Sequence, residues 1–494
     1  MKINKKDVLI YCICIIFISL AILVRPLRNL DELWNYNFAR NILEGKLPYR
    51  DFNMLQTPLI PLICSCILKI FGNELIVMRI IGVFLNSTIM FFIYKIFKEL
   101  KLNKYVIASS LTWIYLLFYE YFCTDYNFSV LLITLATIYI DLKKEDTLKK
   151  SSKANILLGV FVGTSILMKQ TSGLVLSFIF SFYKLLSVYK KEEFKKICKI
   201  ILNRIIGVSI PVLLLIIYLI LNNIIGEFFD YTVLGIKYFD NKVPYINLLI
   251  NYSLDIKFLS ILVPITLVYL FIIILFRKLE KTKQKNLLIL STYSIASFIV
   301  VYPIADMIHF LIASMPTILL LIYIVATGLK IENKGIMKAL TSIFGLYIIY
   351  LLIVNVGCKD VFLKVPQLSN INHYKYIPSN LDNHIKEIGE YIKSEEHKKN
   401  NVYILDASAC AYMIPLDKYN KNYDMFLKGN LGSKSTKEII RELENKRNTK
   451  VLIKEQSNGE LDINWQIPKE VILDILENWK LVGKIGHFDI YENK

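Results

Sequence analysis

An adjacent acidic pair, Asp31-Glu32, stands just beyond the first apolar run of the chain, Val8 to Val24. Carboxylates that close to hydrocarbon are costly to place and usually have a use. One of them can take a proton from an attacking hydroxyl, a general-base role worth ~10²–10⁴-fold in rate. Asp51 lies in the same polar segment, Arg25 to Pro58, together with Arg40, and Arg79 follows shortly after. Further along, Asp125 sits in the turn Cys123-Thr124-Asp125-Tyr126-Asn127, and Lys169-Gln170 closes a short apolar run. Asp306 and His309 lie within Tyr302-Pro303-Ile304-Ala305-Asp306-Met307-Ile308-His309. Carboxylates beside Lys169, Arg40 and Arg79, cations able to hold a phosphate, suit a substrate with a lipid tail and an anionic head.

Each of these residues also has a plainer reading. Asp31 can cap the helix that follows, and Glu32 can be a solvated helix start. Asp51 can be a loop acid, and Asp125 a turn residue beside Asn127. Lys169 can snorkel to an interface, and Arg79 can anchor a helix end. Asp306 and His309, three apart, can orient a helix end by a hydrogen bond, or contact a sugar or a divalent metal. Two such residues make no specific metal signature, so metal dependence stays open.

The elements that must position these residues are apolar. The chain has 494 residues, 55% hydrophobic, with a mean hydropathy of +0.46. A soluble globule would not carry so many runs of membrane-spanning length, so the chain is read as a polytopic membrane protein. The first run leads into Arg25-Pro26-Leu27-Arg28 with no small-residue cleavage site, and is read as an uncleaved first span. The net charge of +18 lies largely in short loops between apolar runs, where it sets topology and does not point to nucleic acid. The eight cysteines form no CxxC, and most sit in apolar runs as small hydrophobes.

Lys2, Lys5 and Lys6 place the N-terminus in the cytoplasm and the segment 25–75 outside. Leu59 to Phe71 is only 13 residues long. At ~1.5 Å per residue it falls short of a ~30 Å hydrocarbon core, and it reads as a helix at the outer surface closed by Gly72. With it excluded, further spans fall near 76–97, 105–121, 127–140, 154–168, 171–188, 204–225, 256–276, 287–304, 310–329 and 338–356. The Lys/Arg-rich loops then all face inward, which gives about eleven transmembrane helices. Asp31, Glu32, Asp51, Asp125, Lys169, Gln170, Asp306 and His309 all come to outer ends. Residues 357–494 change to a mixed pattern: amphipathic helices at Leu381–Ser394, Ser435–Asn448 and Pro468–Trp479, strands at Val402–Leu405, Lys450–Lys454 and Ile485–Tyr491. These predict a small extracytoplasmic α/β domain. The expected organisation is a mostly α membrane domain over 1–356, with its first outer loop at 25–75, followed by that domain.

The pattern Asp31-Glu32, Ala39-Arg40, Gly45, Pro48-Tyr49-Arg50-Asp51, Thr57-Pro58-Leu59, Phe71-Gly72 and Arg79 resembles the N-terminus of GT-C fold glycosyltransferases. The nearest branch is that of the protein O-mannosyltransferases and bacterial aminoarabinose transferases. Met168-Lys169-Gln170-Thr171-Ser172-Gly173 is similar to a Lys-Gln-Thr-Gly element of bacterial members, and the Tyr-Pro…Asp…His run resembles a feature of the same branch. The resemblance covers roughly residues 8–330. It implies a GT-C fold in the cell membrane, a polyprenyl-phosphate sugar as donor, Asp31 as base, inversion at the anomeric carbon and a surface helix bordering the site. A basic element present near the first-loop proline of aminoarabinose transferases is Leu55-Gln56-Thr57-Pro58 here, which moves phosphate binding to Lys169 or an arginine. The acceptor, an extracytoplasmic hydroxyl of a glycan, lipid or protein, is not fixed by it. No ATP or sugar nucleotide is expected outside, so the lipid phosphate must supply the activation.

Two other classes of function compete. A transporter or flippase of lipid-linked saccharides would need charged sites near the midplane and repeat symmetry between halves, and the sequence has neither. A non-catalytic receptor would use residues 357–494 for binding, a domain with no catalytic motif of its own.

Overall fold

The computed structural model describes residues 4–27, 30–143, 151–187, 191–235, 243–276, 280–302, 304–328, 367–379, 382–446, 448–454 and 467–493. The last expected span, 338–356, lies outside them. In chain order the longer helices are α1 (Lys5–Ile22), α2 (Leu30–Leu43), α3 (Leu59–Phe71), α4 (Leu75–Glu99), α5 (Lys104–Phe118), α6 (Tyr126–Lys143) and α7 (Ser152–Met168). They continue with α8 (Gln170–Phe182), α9 (Lys191–Leu221), α10 (Leu254–Phe276), α11 (Lys281–Phe298) and α12 (Met307–Gly328). The C-terminal part adds α13 (Asp382–His397), β1 (Asn401–Ile404), α14 (Thr436–Glu444), β2 (Thr449–Lys454), α15 (Lys469–Asn478), β3 (Lys480–Ile485) and β4 (Phe488–Glu492). Among the described residues the chain is mostly helical with a small C-terminal sheet, as its sequence predicts. It divides into two compact units.

The first unit takes in residues 1–22, 80–215 and 242–365. Helices occupy every expected span within its described residues. Among the described residues, Leu75–Glu99, Tyr126–Lys143, Phe194–Leu221, Lys281–Val301 and Met307–Thr327 are long and apolar enough to cross a membrane; Lys104–Phe118 and Ser152–Met168 are shorter apolar helices. Small residues let α7 and α9 meet backbone to backbone. A Cβ on Gly159 would lie 2.5 Å from the Arg204 carbonyl oxygen, and one on Gly207 2.2 Å from that of Ile156.

Arg204, at the start of the expected span 204–225, is fully buried, because α9 starts well before it. Its Nη2 lies 3.4 Å from Asp141 Oδ1, its Nε donates to Asn155 Oδ1 at 3.1 Å, and Tyr293 Oη donates to Asp141 Oδ2 at 2.7 Å. The cluster ties α6, α7, α9 and α11. Elsewhere in the unit Asp7 of α1 pairs with Lys95 at 2.6 Å and Lys98 at 3.1 Å, both on α4.

The second unit takes in residues 23–79, 216–241 and 366–494. The first loop and the C-terminal domain are therefore one compact body, whereas a boundary at 356 would separate them. Backbone bonds join them: Leu27 donates to the Pro378 carbonyl at 3.0 Å and Leu75 to that of His373 at 2.9 Å. Trp34 Nε1 of α2 donates to the Ala407 carbonyl at 2.9 Å. Helix α3 has the bounds expected from its apolar run and ends at Gly72, φ +111°. It buries Ile60, Cys64 and Leu68 and exposes Ile63, Ile70 and Phe71, an apolar edge suited to an interface.

The sheet runs β1-β2-β4-β3, with β1 and β2 parallel and the other pairs antiparallel. Its core is formed by Leu405, Val451, Ile453, Val471, Ile472, Ile475 and Leu443 from strands and helices together. One expected strand, Ile485–Tyr491, is two: Gly486, φ +53°, turns the chain between β3 and β4. β3 is almost entirely exposed, so it lacks the alternation that marks a half-buried strand.

Candidate active site

In the second unit Asp31 is the second residue of α2, half-buried, in the first turn, where the helix dipole favours an acid. Its carbonyl accepts from Asn35 Nδ2 at 2.8 Å. Glu32 turns the other way. It is 3% exposed and grips Arg79 at both oxygens, Nε to Oε1 at 2.9 Å and Nη2 to Oε2 at 3.0 Å. Arg79 Nη1 donates to the Arg25 carbonyl.

Two expectations for cations are corrected here. Arg79 is 1% exposed and Arg40 is fully buried, and each lies against carboxylates of the protein, although Arg40 Nε has no hydrogen-bond partner. Arg40 Nη2 donates to the Lys418 carbonyl at 2.9 Å, while Nη1 lies 3.2 Å from Glu44 and 3.6 Å from Asp417. Asp417 also meets His373 Nε2 at 2.7 Å, and His373 Nδ1 lies 2.9 Å from Tyr36 Oη. Arg79 holds α2 to α4, and Arg40 holds α2 to the C-terminal domain. Asp51 accepts from the Leu47 amide at 2.7 Å and pairs with Arg50 at 3.1 Å. The Arg50 side chain holds its carboxyl below the ordinary range, as befits a turn-closing acid.

In the first unit three turns converge. Asp125, 3% exposed, precedes α6 and accepts the Asn127 amide at 2.9 Å, while its backbone carbonyl accepts from Ser129 Oγ at 2.9 Å. Lys169, the single non-helical residue between α7 and α8, donates to Asn127 Oδ1 at 2.6 Å and stands 5.3 Å from the Tyr126 ring centre. His309, near the start of α12, has its backbone amide 2.9 Å and its Nδ1 2.8 Å from Asp306 Oδ1. Burial pushes the Asp125 carboxyl up, opposed by the nearby charges of Lys169 and His309. Asp125 Oδ1 is buried with no hydrogen-bond partner in the structure. Gln170 opens α8 beside Lys169, and Gly173 explains why that element needs a glycine: a Cβ there would lie 2.4 Å from the Ser165 carbonyl oxygen.

Sequence reasoning brought together Asp125, Lys169, His309 and Asp306 but passed over Asn127, the residue that links Lys169 to the Asp125 turn. An Asn two residues after an Asp carries no local signal beyond turn chemistry. Among the described residues no group of three or more His, Cys, Asp or Glu is arranged to hold a metal ion.

Another buried carboxyl, Asp424, lies in the second unit, in a segment of the sequence without a motif to mark it. It accepts the Asn420 amide at 2.8 Å and Asn37 Nδ2 at 3.3 Å. Burial pushes it up from 3.8 to about 7. The folded protein therefore binds this proton more tightly than the unfolded chain, so its contribution is complete below pH ~4 and is lost as pH rises to ~7. Three pKa units correspond to about 4 kcal/mol. Melting temperatures measured from pH 4 to 8 should show the advantage of wild type over Asp424→Asn shrinking across that window and levelling off above it; an advantage that grows with pH would contradict the assignment.

Residues 55–221 match the family model of dolichyl-phosphate-mannose-protein mannosyltransferases. Comparison with curated proteins finds no match. Among solved structures, ArnT from Cupriavidus metallidurans bound to undecaprenyl phosphate is 10% identical, with 99% of this chain and 98% of that one covered at a TM-score of 0.52. The S. cerevisiae protein O-mannosyltransferase Pmt1-Pmt2 complex bound to the sugar donor is 16% identical, over 49% of this chain and 38% of that one, at a TM-score of 0.36. The arabinofuranosyltransferase AftD from Mycobacteria is 9% identical, over 100% of this chain and 40% of that one, at 0.47. This chain thus spans well under half the length of the yeast and mycobacterial chains. Over its whole length it shares the GT-C fold of the Cupriavidus protein.

Proposed function

We propose that this chain, a GT-C-fold membrane protein, is a glycosyltransferase that moves a sugar from a polyprenyl-phosphate donor to an extracytoplasmic hydroxyl acceptor. The mannosyltransferase match and the fold shared with an ArnT bound to undecaprenyl phosphate support the membrane glycosyltransferase class and a lipid-linked donor. The observation that carries the reading furthest is the cluster of Lys169 with Asn127 and Asp125, which lies within the family match.

Asp31 takes the acceptor hydroxyl proton as the acceptor oxygen bonds to the anomeric carbon. The carbon–phosphate oxygen bond breaks on the opposite face, which inverts the configuration, and polyprenyl phosphate leaves with the bonding electrons. Lys169 meets the negative charge of that phosphate by a charge-assisted hydrogen bond. Asp31 lies outside the span matched by the family model, so its role rests on the first-loop motif. The N-terminus is cytoplasmic and the unit carrying Asp31 extracytoplasmic in this reading.

Charge-assisted hydrogen bonds contribute ~1.5–3 kcal/mol. Lys169→Met should therefore raise the KM for labelled donor by about 10–100-fold, with Lys169→Arg recovering part of the loss. An unchanged KM in a Lys169→Met protein that melts like wild type would remove Lys169 from donor binding.

A further inference from the structure

Lys169 combines a fixed backbone with a loose side chain. It is the extended residue between α7 and α8, φ −149° and ψ 113°. Its amide donates to the Ser165 carbonyl at 3.0 Å and its carbonyl accepts the Gly173 amide at 2.9 Å, so the main chain is tied on both sides. The four-carbon stem is flexible, and its ammonium must be held by what it meets. Asn127 Oδ1 accepts from Lys169 Nζ at 2.6 Å, and the centre of the Tyr126 ring stands 5.3 Å from the same nitrogen.

The Asn127 end of this contact is held just as firmly. Asn127 is 6% exposed, and its backbone amide donates to Asp125 Oδ2 at 2.9 Å. Asn127 therefore stands between the two charged groups, backbone to Asp125 and side chain to Lys169. The turn that carries it is pinned to α4. Asn86, fully buried, donates its side-chain amide to the Cys123 carbonyl at 2.9 Å and to that of Gly82 at 2.8 Å. Gly82 lets the turn come this close, since a Cβ there would lie 2.9 Å from Thr124 Oγ1.

The chemistry of the acceptor matters as much as its place. An amide oxygen is neutral and fixes an ammonium without adding a counter-charge. Because the ammonium carries three N–H donors, one can anchor the group while another serves an anion. A carboxylate at position 127 would anchor it too, but would repel an arriving phosphate at close range. Asp suits a turn as well as Asn does, so the turn alone does not call for an amide. We propose that Asn127 is a positioning residue for donor binding, its side-chain oxygen holding the Lys169 ammonium where the phosphate of the polyprenyl donor meets it. The proposal rests on the transfer reading above, in which Lys169 binds that phosphate.

The test is a double-mutant cycle in full-length reconstituted protein with labelled polyprenyl-phosphate sugar, comparing wild type, Asn127→Leu, Lys169→Met and the double variant. Asn127→Leu should raise the donor KM by about tenfold, within the range over which residues of one hydrogen-bond network couple, and lower kcat by much less. The double variant should match Lys169→Met, because without the ammonium there is nothing left to hold. A purely structural turn residue would behave differently. Its loss would lower kcat through the share of active protein, leave KM alone and add to the effect of Lys169→Met. Asn127→Asp, equal in size and turn habit, gives a second reading where the leucine variant melts early, and it should raise KM at least as far. A wild-type KM in Asn127→Asp, or additive losses in the cycle, overturns the positioning role. If Lys169→Met itself leaves KM unchanged, the phosphate role of Lys169 falls and the positioning role with it. If Lys169→Met raises KM while neither Asn127 variant does, the transfer reading stands and this inference alone fails.

Discussion

Asp31→Asn should insert, fold and bind donor like wild type while transfer from labelled polyprenyl-phosphate sugar falls by ~10²–10⁴-fold, the range a general base contributes. Asp31 is half-buried in the first turn of α2, and its neighbour Glu32 is committed to Arg79. With Glu32 committed, Asp31 is the member of the acid pair that the proposed mechanism uses as base, and the amide that replaces it keeps size and hydrogen-bonding atoms but takes no proton. Glu32→Gln, by contrast, should act mainly through folding. Reconstituted protein with labelled donor separates the classes of function: product formed by wild type and lost in Asp31→Asn supports transfer, while donor crossing the bilayer with no product in either protein supports transport. Normal turnover in Asp31→Asn would remove that residue from the mechanism.

Much of this was legible because the relevant signals are local. A largely apolar run of 13 residues closed by Gly72 defines α3, too short to span, whatever packs against it. The amphipathic periods of α13, α14 and α15 predict helices in the C-terminal domain near their observed bounds. Convergence of Asp125, Lys169 and His309 follows from counting spans, since turns separated by an even number of crossings share a side. What escaped notice depends on partners distant in sequence. Arg40 and Arg79 look like ligands in a sequence because a cation at a membrane boundary gives no sign of the carboxylates and carbonyls that will enclose it. The pairing of Arg204 with Asp141, 63 residues earlier, leaves no local trace. The first loop carries no pattern saying that Trp34 and Asn53 will bond to Ala407 and Asn430, so a division of the chain by composition alone separated segments that fold together.

The Glu32–Arg79 pair gives the second large effect, this time on stability. Both side chains are buried, 3% and 1% exposed, and they meet through two parallel bonds, the geometry in which a guanidinium and a carboxylate match best. Removing one partner strands the other as an uncompensated buried charge, which costs ~3–5 kcal/mol. Arg79→Met and Glu32→Gln should each lower the melting temperature markedly, whereas the double variant Glu32→Gln/Arg79→Met should recover a large part of the loss, since no lone charge is left behind. The coupling is read from a double-mutant cycle of denaturation in detergent. It also separates two roles for Arg79. A phosphate ligand would leave the singles near wild-type stability and raise donor KM, with no recovery in the double. An anchor that orients α2 would show strong stability coupling, and because Asp31 is the residue next to Glu32, loosening that anchor should also lower kcat before it changes donor affinity.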